Sequence, residues 1–316
     1  MDKKLVKVTI VSGFLGAGKT TLLRQMILRS IALGEHSVVI ENEFGAVGLD
    51  AAVLAQSGID VHELNQGCIC CTLKTDFAAT LTAILETEPP PDRIFFEPSG
   101  IFIPDGVLEI LEGPEFLPLC RLESLITVVD ALGLAKGNPM FQDFLKRQTR
   151  YADHLAVSKA QNLEEAGRAA LLSMLAGLNP TAQLCFADPS GMGSEILDAL
   201  FQTTLEDRLA RKPRFQPKTV PGHGLEMVSL ALPENSVRPK LEECLQSLSE
   251  HQYGKILRAK GRTMIEGAWN DVSWVDGALT FTELAGRSAA ADLPSWRQLV
   301  VIGSHLDQEK LRNLFL

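Results

Sequence analysis

The run Gly13-Phe14-Leu15-Gly16-Ala17-Gly18-Lys19-Thr20 constrains this chain more than any other feature. Its G-x-x-x-x-G-K-T spacing suits a turn from a strand into a helix, where glycines let the backbone curl and successive N–H groups converge on an anion. The flanks fit that context. Val6 to Val11 reads as a buried strand, and Lys19 to Leu33 sets Leu22, Leu23, Met26, Ile27 and Ile31 on one helical face, with Gly34 as a stop. A helix N-terminus adds a favourable dipole at the same point. The loop is therefore expected to cradle the phosphates of a nucleoside triphosphate through residues Gly13 to Thr21. Lys19 would reach the β- and γ-phosphates and the Thr20 hydroxyl would ligate Mg²⁺. A glycine-rich turn that binds nothing is the alternative, and the complete match between strand and helix counts against it.

A strand–loop–helix start implies an α/β domain, and the rest of the first two-thirds keeps that rhythm. Ser37-Val-Val-Ile-Glu41, Arg93-Ile-Phe-Phe-Glu97, Ser124 to Asp130 and His154 to Val157 read as short buried strands separated by helical stretches. Such alternation predicts a mostly parallel sheet flanked by helices. The segment 211–224 breaks the pattern with three prolines and two glycines and reads as a linker. Beyond it, a strand over Leu225 to Leu232, a helix over Val237 to Ser249 and strand-like pieces around Ile256, Met264, Val272 and Leu279 are expected. A last strand over Gln298 to Ile302 and a last helix over Leu306 to Phe315 complete a smaller α+β domain. The expected organisation is a nucleotide-binding domain over 1–210, the linker over 211–224 and the C-terminal domain over 225–316. A chain of 316 residues is long enough for two such cores.

Phosphate-loop hydrolases need a carboxylate at a strand end near Mg²⁺ and a glycine N–H that senses the γ-phosphate. Glu97-Pro98-Ser99-Gly100 follows an apolar strand, and Glu97 and Gly100 fit those two roles. Glu41-Asn42-Glu43-Phe44-Gly45 follows the second strand, and Asp50 a few residues on is expected near Mg²⁺ or the attacking water. Read singly, each of these is also a plain solvated loop acid; their order after the phosphate loop is what favours the functional reading.

The second distinctive feature is Gly67-Cys68-Ile69-Cys70-Cys71, which holds three of the six cysteines. Thiolates are soft ligands for Zn²⁺ and other late transition metals. All three sulfurs on one ion would strain so short a loop, so Cys68 with Cys70 or Cys71 is the expected pair. Glu41, Glu43, His62 or Glu63 would complete a tetrahedral set. A redox thiol cluster and a buried turn are the rival readings. Cys120, Cys185 and Cys244 are scattered and read as small hydrophobes.

Charge and hydropathy narrow the partners. A net charge of −9 argues against a generic nucleic-acid surface, which needs clustered Lys and Arg. No apolar run spans a bilayer. The basic-then-apolar start would mimic a signal peptide, but Lys7 interrupts it and the glycine loop lies where cleavage would fall, so a cytoplasmic protein without a membrane partner is expected.

Taken together these motifs resemble the CobW-type family of P-loop GTPases, which act as metallochaperones and cofactor-assembly factors. The resemblance covers nearly the whole chain. Gly13 to Leu22 resembles the family's phosphate loop, Asn42-Glu-Phe-Gly45 its first switch, Gly67-Cys-Ile-Cys-Cys71 its metal motif and Glu97-Pro-Ser-Gly100 its Glu-Thr-Thr-Gly segment. Val128-Val-Asp130, Leu257 to Gly261 and Leu299 to Gly303 are similar to further family segments. The resemblance implies slow GTP hydrolysis coupled to delivery of Zn²⁺, Co²⁺ or a similar ion to a client metalloprotein or cofactor-dependent enzyme.

One motif departs. Where the family reads guanine with Asn-Lys-x-Asp, this chain has Ser158-Lys159-Ala160-Gln161. Ser158 lacks the reach of Asn, and Gln161 offers one neutral carbonyl in place of a carboxylate, while Lys159 can still stack on the base. Losing a charged hydrogen bond costs about 1.5–3 kcal/mol, so guanine preference is expected to fall roughly tenfold to a hundredfold. The family's histidine-rich tract is also missing, and His223 reads as solvated. Two other functions share the phosphate loop. A small-molecule kinase would need a basic lid that the sequence does not offer, and a non-hydrolysing nucleotide-gated adaptor would not need Thr20, Glu97 and Gly100.

Overall fold

The structure is a computed structural model and describes residues 4–41, 59–64, 72–135, 139–186, 188, 190–202, 226–233, 236–275, 277–283 and 297–315. Asn42, Glu43, Gly45, Asp50, Cys68, Cys70, Cys71 and the segment 211–224 lie outside the described residues. The chain divides into two compact units, Met1–Pro217 and Lys218–Leu316.

In the first unit, seven parallel strands run in the order β3-β2-β4-β1-β5-β6-β7. They are β1 (Val6–Gly13), β2 (Ser37–Glu41), β3 (Asp60–Glu63), β4 (Arg93–Glu97), β5 (Cys120–Asp130), β6 (His154–Ser158) and β7 (Gln183–Cys185). The helices are α1 (Lys19–Ala32), α2 (Thr72–Leu85), α3 (Asp105–Leu111), α4 (Ala131–Ala135), α5 (Pro139–Thr149), α6 (Glu165–Leu178) and α7 (Ser194–Phe201). Every residue of β2, β4 and β6 is buried, as a strand covered on both faces requires. Phe95 and Phe96 show the two-residue period at work. Phe96 joins Phe77 and Leu81 of α2 and Leu108 of α3 in one core, while Phe95 joins Leu22 and Met26 of α1 and Leu197 of α7 in the other. Cys120 opens β5 fully buried, and burial pushes its thiol up to about 11, which keeps it an unreactive apolar group.

Two expectations fell short. β3 and β7 were not foreseen: they are four and three residues long, sit at the two edges of the sheet and carry polar residues, so neither forms an apolar run. β5 also starts earlier than expected, at Cys120, because Arg121 and Glu123 interrupt its apolar pattern.

At the amino ends of the strands lies a buried ionic cluster. Arg93, 2% exposed, donates to Glu35 at 2.8 Å, to Glu123, and to Thr9 at 3.0 Å, with its guanidinium 4.2 Å from the Phe201 ring centroid. Lys7 also donates to Glu35, at 2.7 Å, as does Ser30. Burial raises the Glu35 carboxyl, but the hydrogen bonds from Arg93, Lys7 and Ser30 outweigh it and bring it down from 4.5 to about 2. A carboxyl lowered in the folded state stabilises fully above its unfolded value, and the contribution is lost as pH falls through the folded one. Stability is therefore expected to drop between about pH 4.5 and pH 2, by on the order of 3 kcal/mol from this group. Urea midpoints measured across that range should fall in the wild type and fall less in Glu35→Gln; equal pH slopes would contradict the assignment.

The second unit holds a five-stranded antiparallel sheet in the order β11-β10-β9-β12-β8. Its strands are β8 (Glu226–Ala231), β9 (Lys255–Ile265), β10 (Ala268–Val275), β11 (Ala278–Glu283) and β12 (Gln298–Ser304), with α8 (Arg238–Ser247) and α9 (Gln308–Leu314). Leu241 and Leu245 of α8 and Leu311 of α9 pack with Val228, Val272, Trp274, Leu299 and Val301 into its core. The pieces expected around Ile256 and Met264 are one eleven-residue strand. It turns into β10 through Glu266 and Gly267, both at positive φ (51° and 85°), the conformation of a two-residue hairpin.

Candidate functional site

The carboxyl ends of the parallel strands carry the site residues. β1 ends at Gly13, whose register partner on β5 is Val128, and the chain then curls through Phe14, Leu15, Gly16, Ala17 and Gly18 into α1. Gly16 and Gly18 hold φ of 74° and 100°, a region that a side chain resists. The Ala17 amide donates to the Phe14 carbonyl at 3.2 Å, closing the curl. Lys19 and Thr20 open α1, with Thr21 exposed beside them. Lys19 is 4% exposed, and its ammonium folds back to within 3.5 Å of the Phe14 carbonyl.

β4 lies beside β1, and this adjacency brings the next residues in. The Thr20 hydroxyl donates to Glu97 Oε1 at 2.8 Å. A hydroxyl and a carboxylate oxygen so close are hard donors, the set that Mg²⁺ prefers. Gly100 lies directly against the phosphate loop: a Cβ there would stand 2.6 Å from the Leu15 nitrogen and 2.8 Å from its Cα. No side chain fits, and that close approach explains the glycine. Register also aligns Glu41 of β2 with Glu97 of β4 on one side and with Glu63 of β3 on the other. His62 lies on β3 as well.

Several residues at the site were not foreseen. Gln148 of α5, 1% exposed, donates to the carbonyls of Gly100 at 3.2 Å and Phe102 at 2.9 Å. Phe144 on the same helix packs 5.6 Å from Phe14, so α5 touches both the phosphate loop and the Glu97–Gly100 segment. The available signal was a lone amide on an otherwise apolar stripe with Phe144 and Leu145. Asp130 at the end of β5 accepts from Lys159 at 2.6 Å and from the Leu132 and Gly133 amides at 3.0 Å, capping α4.

The residues after β6 surround the loop from the other side. The Ser158 hydroxyl donates to the Ala17 carbonyl at 2.7 Å, so it braces the phosphate loop. Lys159 sits at φ 59° and donates to the Gly16 carbonyl at 3.0 Å as well as to Asp130, which ties its ammonium to the loop. Gln161 donates to Asp188 Oδ2 at 3.3 Å, in the loop after β7. The three cysteines, Glu43 and Asp50 lie outside the described residues, and the described residues contain no group of three His, Cys, Asp or Glu side chains arranged to hold a metal. No helix among them is long and apolar enough to cross a membrane.

Comparison with known proteins covers both units. Residues 7–186 match the family described as CobW/HypB/UreG, nucleotide-binding domain, and residues 225–316 match the cobalamin synthesis protein cobW C-terminal domain. The zinc chaperone CobW of Pseudomonas aeruginosa is 30% identical over 97% of this chain and 89% of its own length. The zinc chaperone YjiA of Escherichia coli is 27% identical over 98% of both. The crystal structure of Zn(II)-bound YjiA GTPase from E. coli aligns over 99% of this chain and 98% of that one, at 22% identity and a TM-score of 0.47.

Proposed function

We propose that this chain, which belongs to the CobW family of P-loop nucleotide-binding proteins, is a Mg²⁺-dependent NTP hydrolase. GTP is its nucleotide, and nucleotide state governs the binding of a transition-metal ion and its transfer to a client protein. The observation that carries the reading is the convergence at one end of the sheet. Lys19 lies folded over the phosphate loop, Thr20 is bonded to Glu97, and Gly100 touches Leu15. In sequence, Cys68 comes four residues after Leu64, which follows the edge strand β3.

Each residue then has a task. The loop amides and Lys19 grip the β- and γ-phosphates. Thr20 and Glu97 would hold Mg²⁺ in the loaded protein, where the ion neutralises charge developing on the phosphates. Gly100 donates its N–H toward the γ-phosphate, kept in place by Gln148, and Asp50 orients the attacking water. Cys68 with Cys70 or Cys71, with Glu43 as a further candidate, takes the cargo ion as thiolates and carboxylate. Zn²⁺ is the first candidate cargo, since the two relatives above are named zinc chaperones; Co²⁺ suits the same donors. Hydrolysis would release the switch segments and loosen the thiol loop.

The test is linkage. Zn²⁺ affinity, measured by competition with a chelating dye, is expected to differ at least about tenfold between the complexes with a non-hydrolysable GTP analogue and with GDP, a coupling of about 1.4 kcal/mol. Equal affinities in both complexes and in the nucleotide-free protein would end the coupling reading.

A further inference from the structure

The carboxylate expected at position 161 is missing, yet another stands beside that position. We propose that Asp188, in the loop after β7, reads guanine in this chain, with Gln161 held by it as the second acceptor. This rests on the reading of Gly13–Thr20 as a nucleoside-triphosphate site.

The pairing fixes which way the Gln161 amide faces. Only its NH₂ end can donate to a carboxylate, and Nε2 lies 3.3 Å from Asp188 Oδ2. Its carbonyl Oε1 is thereby turned to the other side as an acceptor. Asp188 Oδ1 is occupied by the Ser190 amide at 2.9 Å and hydroxyl at 2.6 Å. A carboxylate has about four acceptor positions, so Oδ2 keeps one after Gln161 is satisfied. The pair therefore presents two acceptors, the charged Asp188 Oδ2 and, across the Gln161 NH₂ group, the neutral Oε1.

That edge matches one base. Guanine offers adjacent donors, N1–H and the exocyclic amine. Adenine places the acceptor N1 beside its single amine, and xanthine places a carbonyl at C2; either would set acceptor against acceptor. The hydrogen bonds from Ser190 also lower the Asp188 carboxyl, so it is ionised at neutral pH.

Both acceptors are tied to the phosphate end. Gln25 of α1 donates to the Ser190 carbonyl at 3.3 Å, which fastens the Asp188 loop to the helix that begins at Lys19. Lys159, two residues before Gln161, donates to the Gly16 carbonyl at 3.0 Å. In open parallel sheets ligands lie beyond the carboxyl ends of the strands. With the phosphates on the loop after β1, the loops after β6 and β7 are where a base would lie.

The test uses the full chain and three diphosphates, GDP, ADP and XDP, competing against a fluorescent nucleotide. The wild type is expected to prefer GDP over ADP by at least about tenfold, the worth of one charged hydrogen bond. Asp188→Asn should lower that ratio by about tenfold or more and improve XDP relative to GDP, since the new amide can donate to the C2 carbonyl. ADP affinity should stay within about twofold, because the phosphate contacts supply it, and this also reports that the variant is folded. A wild type without guanine preference, or an Asp188→Asn ratio within about twofold of wild type, overturns the proposal. Failure of the underlying nucleotide reading looks different: all three diphosphates would then bind negligibly, and Lys19→Ala would change none of them.

Discussion

Lys19→Ala is expected to weaken binding of a non-hydrolysable GTP analogue by at least about a hundredfold and to take hydrolysis to background. A charge-assisted hydrogen bond to phosphate contributes about 1.5–3 kcal/mol, and this ammonium is expected to serve two phosphates at once. It is also pre-placed, buried on the loop within 3.5 Å of the Phe14 carbonyl. Little side-chain freedom is then left to lose on binding, so the variant forfeits most of the contact's gross value. Calorimetric titration with and without Mg²⁺ separates the contributions, because Thr20→Ala should weaken mainly the Mg²⁺-dependent part. If Lys19→Ala binds within about threefold of wild type, the loop is not the phosphate site.

Arg93→Leu should produce the largest loss of stability of any single change at the opposite end of the sheet, about 3–5 kcal/mol. The guanidinium is 2% exposed and serves Glu35 and Glu123 together. Removing it leaves two carboxylates in a buried setting, with Lys7 and the Ser30 hydroxyl on Glu35 and Arg121 on Glu123, at 3.4 Å, as partial compensation. Lost packing against Phe201 adds to the cost. Folded domains hold only about 5–15 kcal/mol in all, so the urea midpoint of the first unit should fall sharply. Adding Glu35→Gln to Arg93→Leu should recover part of the loss, since one of the two stranded carboxylates is then neutral. A loss below about 1 kcal/mol, or no recovery in the double variant, would show that the cluster is not the support described here.

Which parts of this molecule were readable beforehand follows from physical range. The central strands are apolar runs because both of their faces are covered, and that covering is written directly into Ser37–Glu41 and Arg93–Glu97. Edge strands have one neighbour and tolerate polar residues, so Asp60–Glu63 and Gln183–Cys185 left no such trace. The phosphate loop, Glu97 and Gly100 were legible because each obeys a local rule: a glycine spacing, an acid at a strand end, a glycine three residues later. Gln148, Asp130 and Asp188 act on partners 48, 29 and 27 positions away. No local pattern encodes such pairings. Position 161 is the instructive case, since its departure from the expected acid was visible in the sequence, whereas the acid beside it appears only once two loops are folded together.

The fit of Gly100 against Leu15 has a mechanical consequence. With no room between the two backbones for even one carbon atom, a shift of a few tenths of an ångström in one segment must displace the other. Such a push travels by steric exclusion, which dissolved ions do not screen. Whatever salt does to the grip on an anionic ligand, the message that the ligand has arrived should pass from loop to loop undiminished.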